Sequence, residues 1–210
     1  MAIKPILFNS EMVRAILDGR KDAKRRIVKG FIPDDAVWGY TAFTPKGYIS
    51  CRGTFADGYG EKFFKLPCEP GDILYVRETW KKALNGYYYY EAWQRNDIAD
   101  VTKWKPSIRM PKEAARIWLK VTNVRVERLQ EITDEQAKRE GIQYDECPTG
   151  FTWKQETDMH NCYTTPIGAM QALWNSTIKK SDLDGYGWDA NPWVWTIEFE
   201  RCEKPEEISG

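Results

Sequence analysis

The chain has 210 residues, 42% of them hydrophobic, and its 31 basic and 31 acidic side chains sum to no net charge. That length suits one domain with insertions, and the apolar fraction can build a real core. The zero balance excludes the overall positive field of a bulk nucleic-acid binder.

The distribution of charge is uneven. Residues 1–30 hold eight Lys and Arg against three Asp and Glu, residues 103–128 eight against two, and residues 181–210 two against eight. A basic face and an acidic tail are expected from this segregation. The five cysteines contain no CxxC pair, which argues against a disulfide framework and against a zinc ribbon. His160, Cys147 and Cys162 are too scattered to read as a metal site. No metal and no cofactor is expected. Met1–Phe8 is too short for a signal peptide, and no apolar run approaches a membrane span. The expectation is a reduced, cytoplasmic protein.

In chain order, Ile3–Phe8 reads as an edge strand, because Pro5 cannot donate to a ladder. Ser10 is placed to cap a helix carrying Met12, Val13, Ile16 and Leu17 on one face. Gly19 suits the left-handed position that closes it. A dense basic turn follows: Arg20, Lys21, Lys24, Arg25, Arg26 and Lys29 lie within ten residues. Like charges so close are unfavourable unless an anion or acidic partners offset them. From Phe31 to Leu66, turn pairs and aromatics predict short hairpin strands. Glu69-Pro70-Gly71-Asp72 predicts a turn into a strand over Ile73–Trp80, whose end carries Arg77 and Glu78. Residues 84–106, with Tyr87–Tyr90 and Trp93, read as an inserted hairpin.

Lys105–Pro111, bracketed by prolines, is expected to be extended. Ala114–Glu127 alternates as a long strand with a bulge near Asn123. Thr133-x-x-Gln136 fits a capping box, and Gly141 stops its helix. Residues 143–165 read as a loop. Pro166 begins the longest helix, with Met170, Leu173 and Trp174 on its apolar stripe. Trp193–Arg201 alternates as a closing strand. The inventory predicts an α+β fold: a mostly antiparallel barrel with two or three short helices and inserted hairpins. No strand–GxGxxG–helix unit points to a Rossmann fold.

Gly19-Arg20-Lys21-Asp22-Ala23-Lys24-Arg25-Arg26 resembles the ASCH-domain signature G-x-K-x-x-[E/T]-x-R at Gly19, Lys21 and Arg26. The Pro70-Gly71-Asp72 turn, the strand Leu119–Val126 followed by Leu129–Thr133, and Glu140-Gly141 fall in the family's order. Val76–Trp80, Lys105–Pro111 and Asn191–Trp195 resemble the ASCH-like proteins of phages and prophages. The resemblance covers residues 1–202 as one domain, with insertions near 31–66, 84–104 and 143–165 and a flexible tail over 203–210. It implies a PUA-like β-barrel with a cleft that takes a nucleotide, a modified nucleoside or single-stranded RNA. A bacterial subgroup hydrolyses N4-acetylcytidine with a lysine, a threonine and a glutamate. By motif position the lysine is Lys21, the glutamate is Glu140, and the threonine's place is taken by Lys24.

The resulting expectation is a ligand-binding cleft with Arg20, Lys21, Lys24, Arg26 and Arg109 for phosphates. Arg77 and Glu78 are placed for base edges, and Trp80, Trp93 and the tyrosine run for stacking. Ser107 lies in the same set of segments. The alternative reading is an amidohydrolase using Lys21 and Glu140. A third is a phage assembly protein whose basic turn docks a partner.

Overall fold

The computed structural model describes residues 1–93, 103–145, 150–152 and 162–206. Its centre is a five-stranded sheet in the order β1 (Ile3–Leu7), β6 (Ile73–Arg77), β9 (Trp118–Arg128), β12 (Trp193–Cys202), β2 (Ala23–Ile27). β1 pairs parallel with β6; the other three ladders are antiparallel. Pro5 lies on an edge strand, where its missing N–H leaves no ladder bond unmade. The other edge is β2, and no ladder joins the two edges among the described residues. A second sheet packs β3 (Val37–Gly39), β4 (Tyr48–Phe55) and β5 (Gly58–Lys65), all antiparallel. Small hairpins join β7 (Trp80–Ala83) to β8 (Gly86–Tyr89) and β10 (Gln143–Asp145) to β11 (Gly150–Thr152). The fold is α+β, rich in strands and mostly antiparallel.

The helices are α1 (Ser10–Leu17), α2 (Tyr90–Trp93), α3 (Asp134–Arg139), α4 (Pro166–Thr177) and α5 (Leu183–Tyr186). No described helix is long and apolar enough to cross a membrane. The predicted capping box is present on α3: Gln136 N–H donates to Thr133 Oγ1 at 3.3 Å, and Gln136 Oε1 accepts from Thr133 N–H at 3.0 Å. The Pro70-Gly71-Asp72 turn has a physical reason. Gly71 sits at φ +88°, where a side chain would be strained. Asp72 accepts from Ala2 N–H at 2.7 Å, Lys4 Nζ at 2.9 Å and Glu69 N–H at 3.1 Å. One carboxylate thus closes the turn and ties β1 to β6.

Two apolar layers flank the central sheet. Trp195, Ile197 and Phe199 on one face of β12 join Ile6, Phe8, Val13, Ile16, Ile49 and Leu119. Val194, on its other face, joins Leu129, Ile132, Met170, Leu173 and Trp174 beneath α3 and α4. β12 is therefore buried on both faces, which is why its alternation is weaker than the sequence pattern implies. Burial pushes the Cys51 and Cys68 thiols up to about 11, so both remain protonated core side chains.

Several sequence expectations need correction. Asn9, not Ser10, caps α1, its side chain accepting from Met12 N–H at 2.9 Å. The basic segment is not a turn: Ala23–Ile27 forms β2, and Lys21 and Arg25 are buried. Ser107–Arg109 is a 3₁₀ turn rather than extended, because Pro106 at its cap position leaves the next residues free to coil. The long strand begins at Trp118, with Lys112–Ala114 in another 3₁₀ turn. The strand over Ile73–Trp80 ends at Arg77, and Trp80 begins the β7–β8 hairpin. The segment 143–165, read as a loop, contains β10 and β11. The expected bulge is confirmed: Glu198 pairs with Asn123 but Phe199 with Val121, leaving Thr122 as the extra residue. The Trp93 side chain, Cys147, His160 and the tail beyond residue 206 lie outside the described residues.

Candidate functional site

The alternation of β2 decides where its charges go. Ala23, Arg25 and Ile27 share a face with Glu198, Thr196 and Val194 of β12. Lys24 and Arg26 point the other way, opposite Ile197 and Trp195, toward the larger apolar layer. Lys21 lies just before the strand, where its backbone bridges antiparallel to Glu140 at the end of α3. The sheet edge and the end of α3 thus meet over residues more than a hundred positions apart in sequence.

Glu140 is the centre of the ion pairing. Its Oε2 accepts from Lys21 Nζ at 2.7 Å and its Oε1 from Arg25 Nη1 at 3.0 Å. Lys21 Nζ also donates to the Glu140 carbonyl at 2.7 Å. The three side chains are only 0%, 4% and 1% exposed for Lys21, Glu140 and Arg25. So dry a location makes each bond strong and each missing partner costly. Arg25 continues outward to Glu127 Oε1 at 2.7 Å and to Gln136 Oε1 at 3.2 Å. Thr196 Oγ1 donates to the same Glu127 oxygen, and Arg125 Nε to the other, both at 2.7 Å. These bonds outweigh burial and hold the Glu127 carboxyl below its ordinary range.

Beside this network lies a cavity of about 250 Å³. Lys21, Lys24, Arg25 and Glu140 form its charged wall; Met170, Leu173 and Trp174 of α4 form an apolar wall opposite. Asn9, Met12 and Thr177 complete the rim. Lys24 Nζ donates to the Leu7 carbonyl at 2.5 Å and rests 4.1 Å from the centre of the Phe8 ring. Burial, then the positive charges of Arg26 and Lys21, lower its pKa to about 7, against the opposing Glu140.

The cavity brings together Lys21, Lys24 and Glu140 of the residues expected from the sequence. The others are placed elsewhere. Arg20 donates to the Gly141 carbonyl at 3.2 Å and pairs with Asp18 at 3.0 Å. Arg26 follows Lys24 along the apolar face and does not line the cavity. Arg77 donates to the Met110 carbonyl at 2.7 Å, which holds the 3₁₀ turn containing Ser107 and Arg109 against β6. Glu78 is 1% exposed and is held bidentately by Arg116, with both bonds at 2.9 Å. It therefore has no free edge for a base. Trp80 is buried among Met110, Ala114, Tyr87 and Tyr89.

Arg25 was missed, since in a basic run nothing marks one residue as inward. Reading residues 23–27 as a strand would have separated it from Lys24 and Arg26. The apolar wall was visible only as the stripe of α4. Among the described residues no group of three or more His, Cys, Asp or Glu side chains gathers to hold a metal ion.

Fold and site together define an α+β protein with a small cavity between a sheet edge and a helix, walled on one side by a buried ion-pair network and Lys24. No family model, curated protein or solved structure matches the chain.

Proposed function

We propose that this chain is an ASCH-type protein on a PUA-like barrel that binds a nucleotide or modified nucleoside in the Lys21–Lys24–Glu140 cavity. The observation that carries the reading is the cavity's composition. One wall offers the Lys24 ammonium, set beside the Lys21–Glu140–Arg25 network, to polar edges or phosphate; the other presents Trp174 and aliphatic surface to a flat ring. Its size, just under the ~300–1,000 Å³ of common small-molecule pockets, suits one base or nucleoside. Single-stranded RNA would enter by one base at a time. The resemblance of Gly19–Arg26, Pro70–Asp72 and Glu140-Gly141 to the family motifs supports the same assignment.

The geometry favours binding over amide hydrolysis. Both Glu140 oxygens are taken by cations, which leaves that carboxylate unsuited to activate water. Lys21 is tied by the same pair. The docking of a protein partner through the basic segment is also disfavoured, because Lys21 and Arg25 face inward.

Titration calorimetry with cytidine, uridine, their monophosphates and short single-stranded RNA tests the reading. Binding is expected, weakened by Lys21→Ala and Lys24→Met, with monophosphate and RNA affinities that fall as salt rises. Absence of heat with every ligand at millimolar concentration overturns it. Incubation with N4-acetylcytidine, followed by chromatography, is expected to release no cytidine.

A further inference from the structure

Lys24 differs from every other charged group on the cavity wall. Lys21 and Arg25 each hold an oxygen of Glu140. Among the described residues Lys24 has no carboxylate partner; its ammonium has one carbonyl acceptor, that of Leu7, and the face of Phe8. The charged groups that act on it are Arg26 and Lys21 from its own segment and Glu140 from the end of α3. β1 and the turn after it contribute the Leu7 carbonyl and Phe8, and α1 and its cap contribute Asn9 and Met12. α4 contributes Met170, Leu173, Trp174 and Thr177, none of them ionisable. A lysine beside other cations in a partly apolar cavity is the arrangement that yields a nucleophilic amine.

We infer that Lys24 forms an imine with an aldehyde carried on a pyrimidine-sized ligand in this cavity. The inference rests on the nucleoside reading for the ligand's size and shape, but the amine chemistry stands separately. The lone pair of neutral Nζ attacks the carbonyl carbon, the carbon–oxygen π bond opens, and a proton passes from nitrogen to oxygen to give a carbinolamine. The hydroxyl then leaves with the second nitrogen proton as water, and the carbon–nitrogen double bond forms. The sum is aldehyde plus amine giving imine plus water, with no oxidant or reductant. The wall of Met170, Leu173 and Trp174 limits water that would reverse the condensation.

The lowering of Lys24 to about 7 makes roughly half of it neutral at pH 7, against about one part in a few thousand for an ordinary lysine. A less basic amine is also a weaker nucleophile, which returns part of that gain. Labelling about tenfold or more faster than at exposed lysines is expected.

The full chain is incubated at pH 7 with 5-formyluridine, and in parallel with pyridoxal, each with cyanoborohydride to reduce any imine to a stable amine. Intact mass and peptide mapping then count and locate the adducts. The expected result is one adduct, on Lys24, formed well before those on exposed Lys62 or Lys120. Lys24→Arg, which keeps the cation, is expected to lose it. Trapping of pyridoxal alone on Lys24 supports the amine chemistry and counts against the nucleoside reading. If uridine binds but neither aldehyde modifies Lys24 ahead of the exposed lysines, the imine inference is overturned and the nucleoside reading survives. Mapping of the wild-type protein decides the matter even if the variant fails to fold.

Discussion

Replacing Glu140 tests whether the ion-paired centre is as dry as its geometry indicates. At an effective dielectric of about 20, a contact of 2.7 Å between Lys21 and Glu140 corresponds to a gross attraction of roughly 6 kcal/mol. Most of that is offset by desolvation, and removing one partner of a buried pair typically costs about 3–5 kcal/mol. The surroundings set where in that range each variant falls. Lys21 keeps the main-chain carbonyl of residue 140, and Arg25 keeps Glu127 and Gln136. Glu140→Gln retains one acceptor and loses one charge-assisted bond, so about 2–3 kcal/mol is expected. Glu140→Leu loses both and should cost about 4–5 kcal/mol. Urea titrations should show lower midpoints with unchanged slopes. A cycle with Lys21→Met should give a coupling of at least about 1 kcal/mol. If Glu140→Gln shifts stability by less than about 0.5 kcal/mol, the pair behaves as a solvated surface bridge, and the account of a water-excluding centre fails.

Three further outcomes are expected. Arg116→Met strands Glu78 without its bidentate partner and should cost about 3 kcal/mol at pH 7. Burial already raises the Glu78 carboxyl, and a raised folded-state value means that stability falls as pH rises through it; in Arg116→Met, acidification from pH 7 to 5 should therefore recover part of the loss, whereas a pH-independent loss would refute it. Lys24→Met should stabilise the fold by about 1 kcal/mol near pH 6. Because the folded value of about 7 lies below the unfolded one near 10.5, the wild type gains stability as pH rises above about 7, and thermal melts of Lys24→Met should lack that rise. Gly141→Ala forces a side chain onto φ +101° with its Cβ 3.1 Å from Ala15 Cβ; a loss of about 1–3 kcal/mol is expected, and a neutral melt would show that the turn after Glu140 is not fixed.

Much of this arrangement was legible because local chemistry and tertiary use agree. Thr133 and Gln136, Gly141, Pro166, and the closing strand read over Trp193–Arg201 each have one dominant local reading, and the structure places a capping box, a helix stop, a helix start and a strand there. The basic segment was misread for a physical reason. Arg, Lys and Asp in succession have low strand propensity and suggest solvent, yet β2 is held by its ladder with β12 and by carboxylates from β9 and α3. Those carboxylates are 102 to 119 residues away, and β12 lies further still along the chain, beyond any local window. Glu78 was taken for a reader of bases because its partner Arg116 lies 38 residues on. The turn at Ser107–Arg109 was hidden because two flanking prolines permit either an extended strand or a short coil.

The same long-range dependence has a dynamic consequence. β2 is a sheet edge with a ladder to β12 on one side only. Away from β12, the described contacts near Lys21 and Arg25 come from Glu140, Gln136 and the bond from Asp22 N–H to the Arg139 carbonyl at 3.1 Å. The centre of charge therefore does part of the work that a further strand does elsewhere in a sheet. It also fixes register, since a one-residue slip would exchange Arg25 for Lys24 or Arg26 at Glu140. Hydrogen exchange on Glu140→Leu under native conditions should show β2 amides losing protection by more than those of β9, which is paired on both sides. Uniform loss across β2, β9 and β12 would mean that Glu140 stabilises the fold as a whole and that the edge strand has no separate dependence on it.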